Sequence, residues 1–216
     1  MKEIKALLKK EILLEWRSRA SINGILLYGV STVFICYMAF ESVRPIVWNA
    51  LFWIVLLFAA VNGMAKSFLQ ETEGRQKYLY LLSSPSKILI AKLIYNIVLM
   101  LLMAFICLIF FSLFIDNHLL HFWQYSVAVS AGSVSFAAAF TMISAIVSKA
   151  GNNTGLMAIL GFPVILPLLL LLLRFSEAMM VGRPFSESVD FLMGIGLINV
   201  ILVVISLILF PYIWRD

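Results

Sequence analysis

The sequence predicts an all-α membrane protein: six transmembrane helices, an interfacial amphipathic helix before the first, and a short cytoplasmic helix between the second and third. Three observations carry this reading. Of the 216 residues, 63% are apolar and 12% charged, with a mean hydropathy of +1.04, whereas soluble globular chains run at about 45–50% apolar and about 25% charged. A water-soluble domain of this size cannot cover that much apolar surface. The apolar residues are gathered into long runs, and about 20 residues cross the hydrocarbon core. The basic residues concentrate in alternate connections between those runs, as they do in chains inserted by the positive-inside rule.

The first element is Met1–Ala20, MKEIKALLKKEILLEWRSRA. It has helical periodicity and neither glycine nor proline. Ile4, Leu7, Leu8, Ile12 and Leu14 fall on a broad apolar side, with Lys2, Lys9, Lys10 and Arg17 opposite. The pattern predicts a helix at the membrane surface, basic enough to favour anionic head groups. Glu11, Glu15 and Arg19 form a charged row within the apolar side. Glu15 and Arg19 can pair along the helix, which leaves Glu11 in need of a protein partner. Trp16 lies in the same stretch.

Six apolar segments follow, Ile22–Phe40, Ile46–Ala65, Ile88–Ile115, Phe122–Val147, Leu156–Leu173 and Phe191–Ile213. Each is long enough to span. The third and fourth exceed what a bilayer needs and must tilt or extend beyond it. Six spans put both termini on one side. Counting Lys and Arg gives six in the N-terminal segment, five between the second and third spans, and one each at Lys149 and Arg215, thirteen in all. The other face has three, Arg44, Arg174 and Arg183. Both termini are therefore expected in the cytoplasm.

The connection Lys66–Lys92, KSFLQETEGRQKYLYLLSSPSKILIAK, is the longest interior run that a bilayer would reject. At its centre Tyr78, Leu81 and Leu82 share one face of a short helix over Tyr78–Leu82. Ser84-Pro85 then reads as an N-cap followed by proline at the first position of a new helix. A short apolar-faced helix with a charged shoulder suits docking on a cytoplasmic protein; a plain solvated basic loop has the same composition.

Ala128, Ala131, Gly132, Ser135 and Ala139 of the fourth span recur at four-residue spacing and let helices approach closely. Asn62, Asn96 and Thr141 are the few intramembrane polar residues the reading singles out, either as a pathway or, more commonly, as helix–helix hydrogen bonds. Gly151–Gly155, GNNTG, makes a tight cytoplasmic turn. Pro163 and Pro167 stand one turn apart in the fifth span. Each removes a backbone N–H, so a bend or a break is expected there. The outer connection Ser176–Asp190 is the longest on its side, and Ala178–Val181 is expected at the outer interface. His118 and His121, at i and i+3, could ligate haem or metal; interfacial residues beside an aromatic belt are the commoner occurrence.

No catalytic chemistry is written in the chain. It has no G-x-x-x-x-G-K-[ST] phosphate loop, no H-E-x-x-H, and no carboxylate pair within the spans. Cys36 and Cys107 lie inside apolar runs and make no metal or haem motif. The basic residues form no aromatic-interleaved groove, so nucleic acid is not an expected partner. No removable signal peptide is expected at the N-terminus. Active transport would need ATP hydrolysis on another chain.

The whole chain resembles the permease subunit of a type-2 ABC exporter, and within that group the haem exporter protein B (CcmB) family of cytochrome c maturation. The resemblance rests on Lys10-Glu11…Glu15-Trp16-Arg17 before the first span, on Glu71-x-Glu73-Gly74 followed by Leu79-x-Leu81-Leu82-Ser83-Ser84-Pro85, and on Pro163-x-x-x-Pro167. The segment departs from the family pattern at Arg75-Gln76-Lys77-Tyr78, which makes it more basic. The resemblance implies a single permease domain in the bacterial cytoplasmic membrane that couples to an ATPase through Glu71, Glu73, Gly74, Arg75, Tyr78, Leu79, Leu81, Leu82, Ser84 and Pro85. It implies a CcmA-like ATPase, a second copy of the chain, a haem-handling CcmC-like subunit, a small CcmD-like subunit and a periplasmic haem chaperone as partners. No cofactor is expected on the chain itself; ATP belongs to the ATPase and haem to the complex. An exporter permease for a lipid, polysaccharide or drug, and a non-transporting scaffold subunit, are the alternative readings.

Overall fold

The computed structural model describes residues 2–18, 20–64, 84–115, 118–149 and 154–213. Among them all regular structure is helical: α1 (Lys2–Ser18), α2 (Ala20–Ala39), α3 (Pro45–Met64), α4 (Pro85–Phe114), α5 (Phe122–Lys149), α6 (Thr154–Met180) and α7 (Val189–Ile213), with a 3-10 turn at Phe185–Ser188. Five helices, α3 to α7, are long and apolar enough to cross a membrane, and α2 contributes the apolar stretch Leu27–Ala39 among the described residues.

Local chemistry sets several of the ends. Proline opens both α3 and α4, where its missing N–H costs nothing. Ser84 adopts the extended N-cap geometry predicted for it, yet its hydroxyl makes no capping bond; its carbonyl accepts from the N–H groups of Lys87 and Ile88. The far end of α6 differs from expectation. Residues 176–180 were assigned to the outer connection, but the helix runs on to Met180. The reason is its sidedness: Ser176, Ala178, Met179 and Met180 are buried against the bundle, while Arg174 and Glu177, 4.0 Å apart, share the outer face. Gly182 then stops the helix at φ +74°, a conformation glycine adopts without a side-chain clash. Its N–H donates to Met179 and that of Arg183 donates to Ala178, the paired bonds of a Schellman stop. Asp190 in the first turn of α7 complements the helix dipole.

The bundle is built around α5, which packs on α3, α4, α6 and α7. Some 78% of its membrane-spanning stretch is buried inside the protein, against 17% for α7, so α5 is the core and α7 the outermost helix. Its small residues make this feasible. Ala128, Gly132, Ser135 and Ala139 are all buried, and the Trp53 ring lies so close to Gly132 that a Cβ there would sit 2.2 Å from it. Trp48, Phe52, Trp53, Phe111, Tyr125 and Phe136, all fully buried, form an aromatic layer across α3, α4 and α5. Trp48 stacks on Phe52 at 5.8 Å and meets Phe111 edge-on at 5.4 Å. Such pairs add about 0.5–1.5 kcal/mol each beyond burial.

Replacing Gly132 by alanine sets two effects against each other. Alanine gains about 1 kcal/mol in helix preference, and forcing a methyl into a filled core costs about 1–3 kcal/mol. The Trp53 ring is held by its own hydrogen bond and cannot turn aside, so the clash should win. The Gly132→Ala protein is expected to melt at a lower temperature in detergent, with the loss reduced in a Trp53→Phe background. An unchanged or raised midpoint would refute the close approach.

Candidate functional site

Of the residues that the sequence singles out for ATPase coupling and the N-terminal helix, Glu11, Ser84 and Pro85 are described, and they stand where α1 meets the first turns of α4. Glu71, Glu73, Gly74, Arg75, Tyr78, Leu79, Leu81 and Leu82 lie outside the described residues, as does Arg19, and α1 contains Glu15 and Trp16 without their side chains being described. Ser84 and Pro85 stand at the N-cap and first position of α4, where the sequence put them.

α1 lies mainly on α4 rather than on α2, the helix that follows it in the chain. Two ion pairs join them. Near the tip, Lys87 Nζ donates to Glu3 Oε2 at 2.8 Å, with both side chains well exposed; screening by water leaves such a pair worth little. Deeper in, Lys92 Nζ is 3.4 Å from Glu11 Oε1, and Lys10 Nζ is 3.3 Å from the same oxygen. The Lys92 side chain is 1% exposed and that of Glu11 14%. A buried charge is tolerated only when it is paired, so these groups depend on each other. Lys92 is seven residues beyond Pro85, about 10 Å along the helix. α4 has 30 residues, about 45 Å, and so overreaches a hydrocarbon core of about 30 Å. Its first turns can therefore stand at head-group level.

Glu11 thus has the protein partner that the sequence required, on the side expected, with Ile4, Leu7, Leu8 and Leu14 partly buried beside it. The predicted apolar side included Ile12, but Ile12 and Leu13 are exposed, while Lys10 and Glu11 turn toward α4. The departures are at the edges of that side, where Ile12 turns out and Lys10, expected opposite, turns in beside Glu11. Lys92 was read only as one of the loop's basic residues. The available signal was a charge of each sign stranded in an otherwise apolar stretch.

Within the spans, polar residues tie helices together. Asn96 donates to Thr141 at 2.8 Å between α4 and α5, and Asn199 donates to Ser135 at 2.8 Å between α7 and α5. Asn62 instead bonds back to Phe58 of its own helix and is exposed. A network not foreseen from sequence joins α3, α5 and α6 toward the other end. Tyr125 Oη and Ser176 Oγ each donate to Asn49 Oδ1 at 2.9 Å, Trp53 Nε1 donates to Ser176 Oγ at 2.8 Å, and Asn49 Nδ2 donates to the Leu173 carbonyl at 3.2 Å. Trp48 Nε1 donates to the Ile115 carbonyl nearby. Nothing local in the sequence distinguishes these residues from an interfacial belt.

α6 is continuous through Pro163 and Pro167, and both rings face out of the bundle. Of the two histidines, His118 bonds through its ring to the Val43 carbonyl, and His121 packs against Gly182, the Cβ-free residue of the α6 stop. Each is used by the turns at the end of the bundle away from α1. Among the described residues no three His, Cys, Asp or Glu converge to hold a metal.

A family model described as CcmB protein matches residues 2–208 of the chain. Neither the curated proteins nor the solved structures give a match.

Proposed function

Because the chain belongs to the CcmB protein family, we propose that it is the permease subunit of an ABC transporter complex for haem export and haem-chaperone loading and release in cytochrome c biogenesis. The observation that carries this reading is the family match across nearly the whole length. The chain is a multi-pass membrane protein with at least five spanning helices; α2 makes the sixth in this reading. ATP hydrolysis resides on a separate CcmA-like subunit, and two permeases assemble with two ATPases. A CcmC-like subunit, a CcmD-like subunit and a periplasmic haem chaperone complete the system. The chain binds no cofactor of its own.

The membrane is the bacterial cytoplasmic membrane, with both termini and the 65–83 segment inside. The Glu3–Lys87 pair supports this, since it brings the N-terminal helix and the residues just after that segment to the same end of the bundle. α1 lies in the interface with Lys5 and Lys9 outward, suited to anionic head groups. In intact spheroplasts an impermeant maleimide should modify a cysteine placed at Leu120 and spare one placed at Gln76. The reverse pattern overturns the orientation.

Tyr78–Leu82 is the helix that docks the ATPase, with Glu71, Glu73, Gly74 and Arg75 as its charged shoulder and Ser84-Pro85 as the junction to α4. Leu82→Asp would place a carboxylate in a desolvated apolar contact, at a cost of a few kcal/mol, and each 1.4 kcal/mol is tenfold in binding. The expected result is normal insertion with loss of the co-purifying ATPase. Full ATPase recovery with this variant would mean that docking lies elsewhere.

Pro163 and Pro167 leave two carbonyls of α6 without their usual N–H partners on one outward face, so direction can change there at low cost. The Pro163→Ala/Pro167→Ala protein should be expressed and keep its ATPase while attaching little haem to c-type cytochromes. Poor recovery would make the pair a fixed packing bend, and normal recovery with normal haem attachment would remove any role.

A further inference from the structure

The spans are apolar enough to hold α4 in the membrane without Lys92, yet the chain buries this charge under α1. A leucine or methionine would pack there without the desolvation cost, and replacing buried ion pairs by apolar residues is often neutral or stabilising. What the pair supplies is a defined register. It joins residue 11 of α1 to residue 92 of α4, and Glu3–Lys87 repeats the contact nearer the tip. Two such contacts, eight residues apart on α1 and five apart on α4, fix both the position and the angle of one helix on the other. α4 begins directly after the 65–83 segment, and α1 runs into α2. α1 is therefore attached by side chains to the span that follows the segment and by backbone to the first span.

We propose that Lys92 is a positioning residue that holds α1 against the start of α4 through Glu11, so that the two helices travel as one body. A displacement of the start of α4 then reaches the start of α2 through α1, whereas the direct packing of α2 on α4 lies toward the other end of α4, at Gly29–Cys107 and Phe34–Phe114. This rests on the reading of 65–83 as the ATPase dock for the source of the displacement, and not for the clamp itself. Glu3–Lys87, being exposed, guides the tip, whereas the buried pair carries the constraint.

The test uses spin labels at Ala6→Cys on α1 and Ile94→Cys on α4, both exposed positions, with Cys36 and Cys107 replaced by alanine. The full complex in nanodiscs is measured by pulsed dipolar spectroscopy, with and without trapped nucleotide. One narrow distance, identical in both states, is expected. Lys92→Met or Glu11→Gln should broaden the distribution, the charge-swapped Glu11→Lys/Lys92→Glu protein should narrow it again, and Glu3→Gln/Lys87→Gln should leave it narrow. The broadened variants should also lose haem attachment while keeping their ATPase. A distance that shifts with nucleotide in the unmodified pair, or stays narrow in both Lys92→Met and Glu11→Gln, overturns the clamp. If a label pair at Gln76 and Ile94 is blind to nucleotide, the docking reading fails, and the α1–α4 distribution still decides the clamp.

Discussion

The bundle depends on the place where the edge of the Trp53 ring meets Gly132 and its indole N–H donates to Ser176. In a bilayer the usual force for helix association is missing, because lipid tails are as apolar as leucine. Close packing and hydrogen bonds must do the work. Gly132 allows the largest side chain of α3 to reach the backbone of α5, and Ser176 ties the same side chain to α6. Through Asn49, the network then takes in Tyr125, whose ring also meets Trp48 and Phe52. Each donor of Trp53 and Tyr125 is satisfied, so the low dielectric that would punish an unpaired group strengthens these bonds instead. This fixes α5 as the centre, and the other helices take their places around it.

The two ends of the bundle are held by different chemistry. At the end away from α1 stand the aromatic layer, the Asn49 network, the Trp48 bond to Ile115 and the glycine stop of α6. Toward the end where α1 meets α4, the ties among the described residues include two ion pairs and the Asn96–Thr141 bond. The ion pairs hold α1 to the start of α4 in one register. That end is the one next to the segment proposed as the ATPase dock.

Much of this was legible in the sequence for a physical reason. The hydrocarbon core demands about 20 apolar residues per crossing, and that requirement placed the starts of α3 and α5, while the four-residue spacing of small residues marked the buried face of α5. Ser84-Pro85 fixed the start of α4, since proline at the first turn is a local effect. The end of α6 was missed because Arg174 and Glu177 resemble loop residues, and only the fold reveals that their neighbours Ser176, Ala178 and Met179 face a core. The Glu11–Lys92 pair was half legible. Glu11 stood out as a charge in an apolar stripe, while Lys92 was absorbed into a count of basic residues. A partner 81 positions away leaves no periodic trace. The Asn49 network was invisible for the same reason, its members being separated by 76 and 127 positions.

The exposed prolines bear on how an outer end this tight can coexist with work at the other. Pro163 and Pro167 lie between Gly161, whose missing side chain leaves room near Ile143 and Phe140 of α5, and Ser176, which belongs to the Asn49 network. Hydrogen bonds therefore tie α6 near Ser176, and two backbone bonds are missing from its middle, on an exposed face. A rod fixed at one end and softened at its centre deflects at the free end. In the hinge reading proposed above, the half of α6 that moves is the one that begins at Thr154. Motion confined to that half needs no break in the aromatic layer or in the Asn49 network, and so it does not disturb the contacts on which the folded bundle depends.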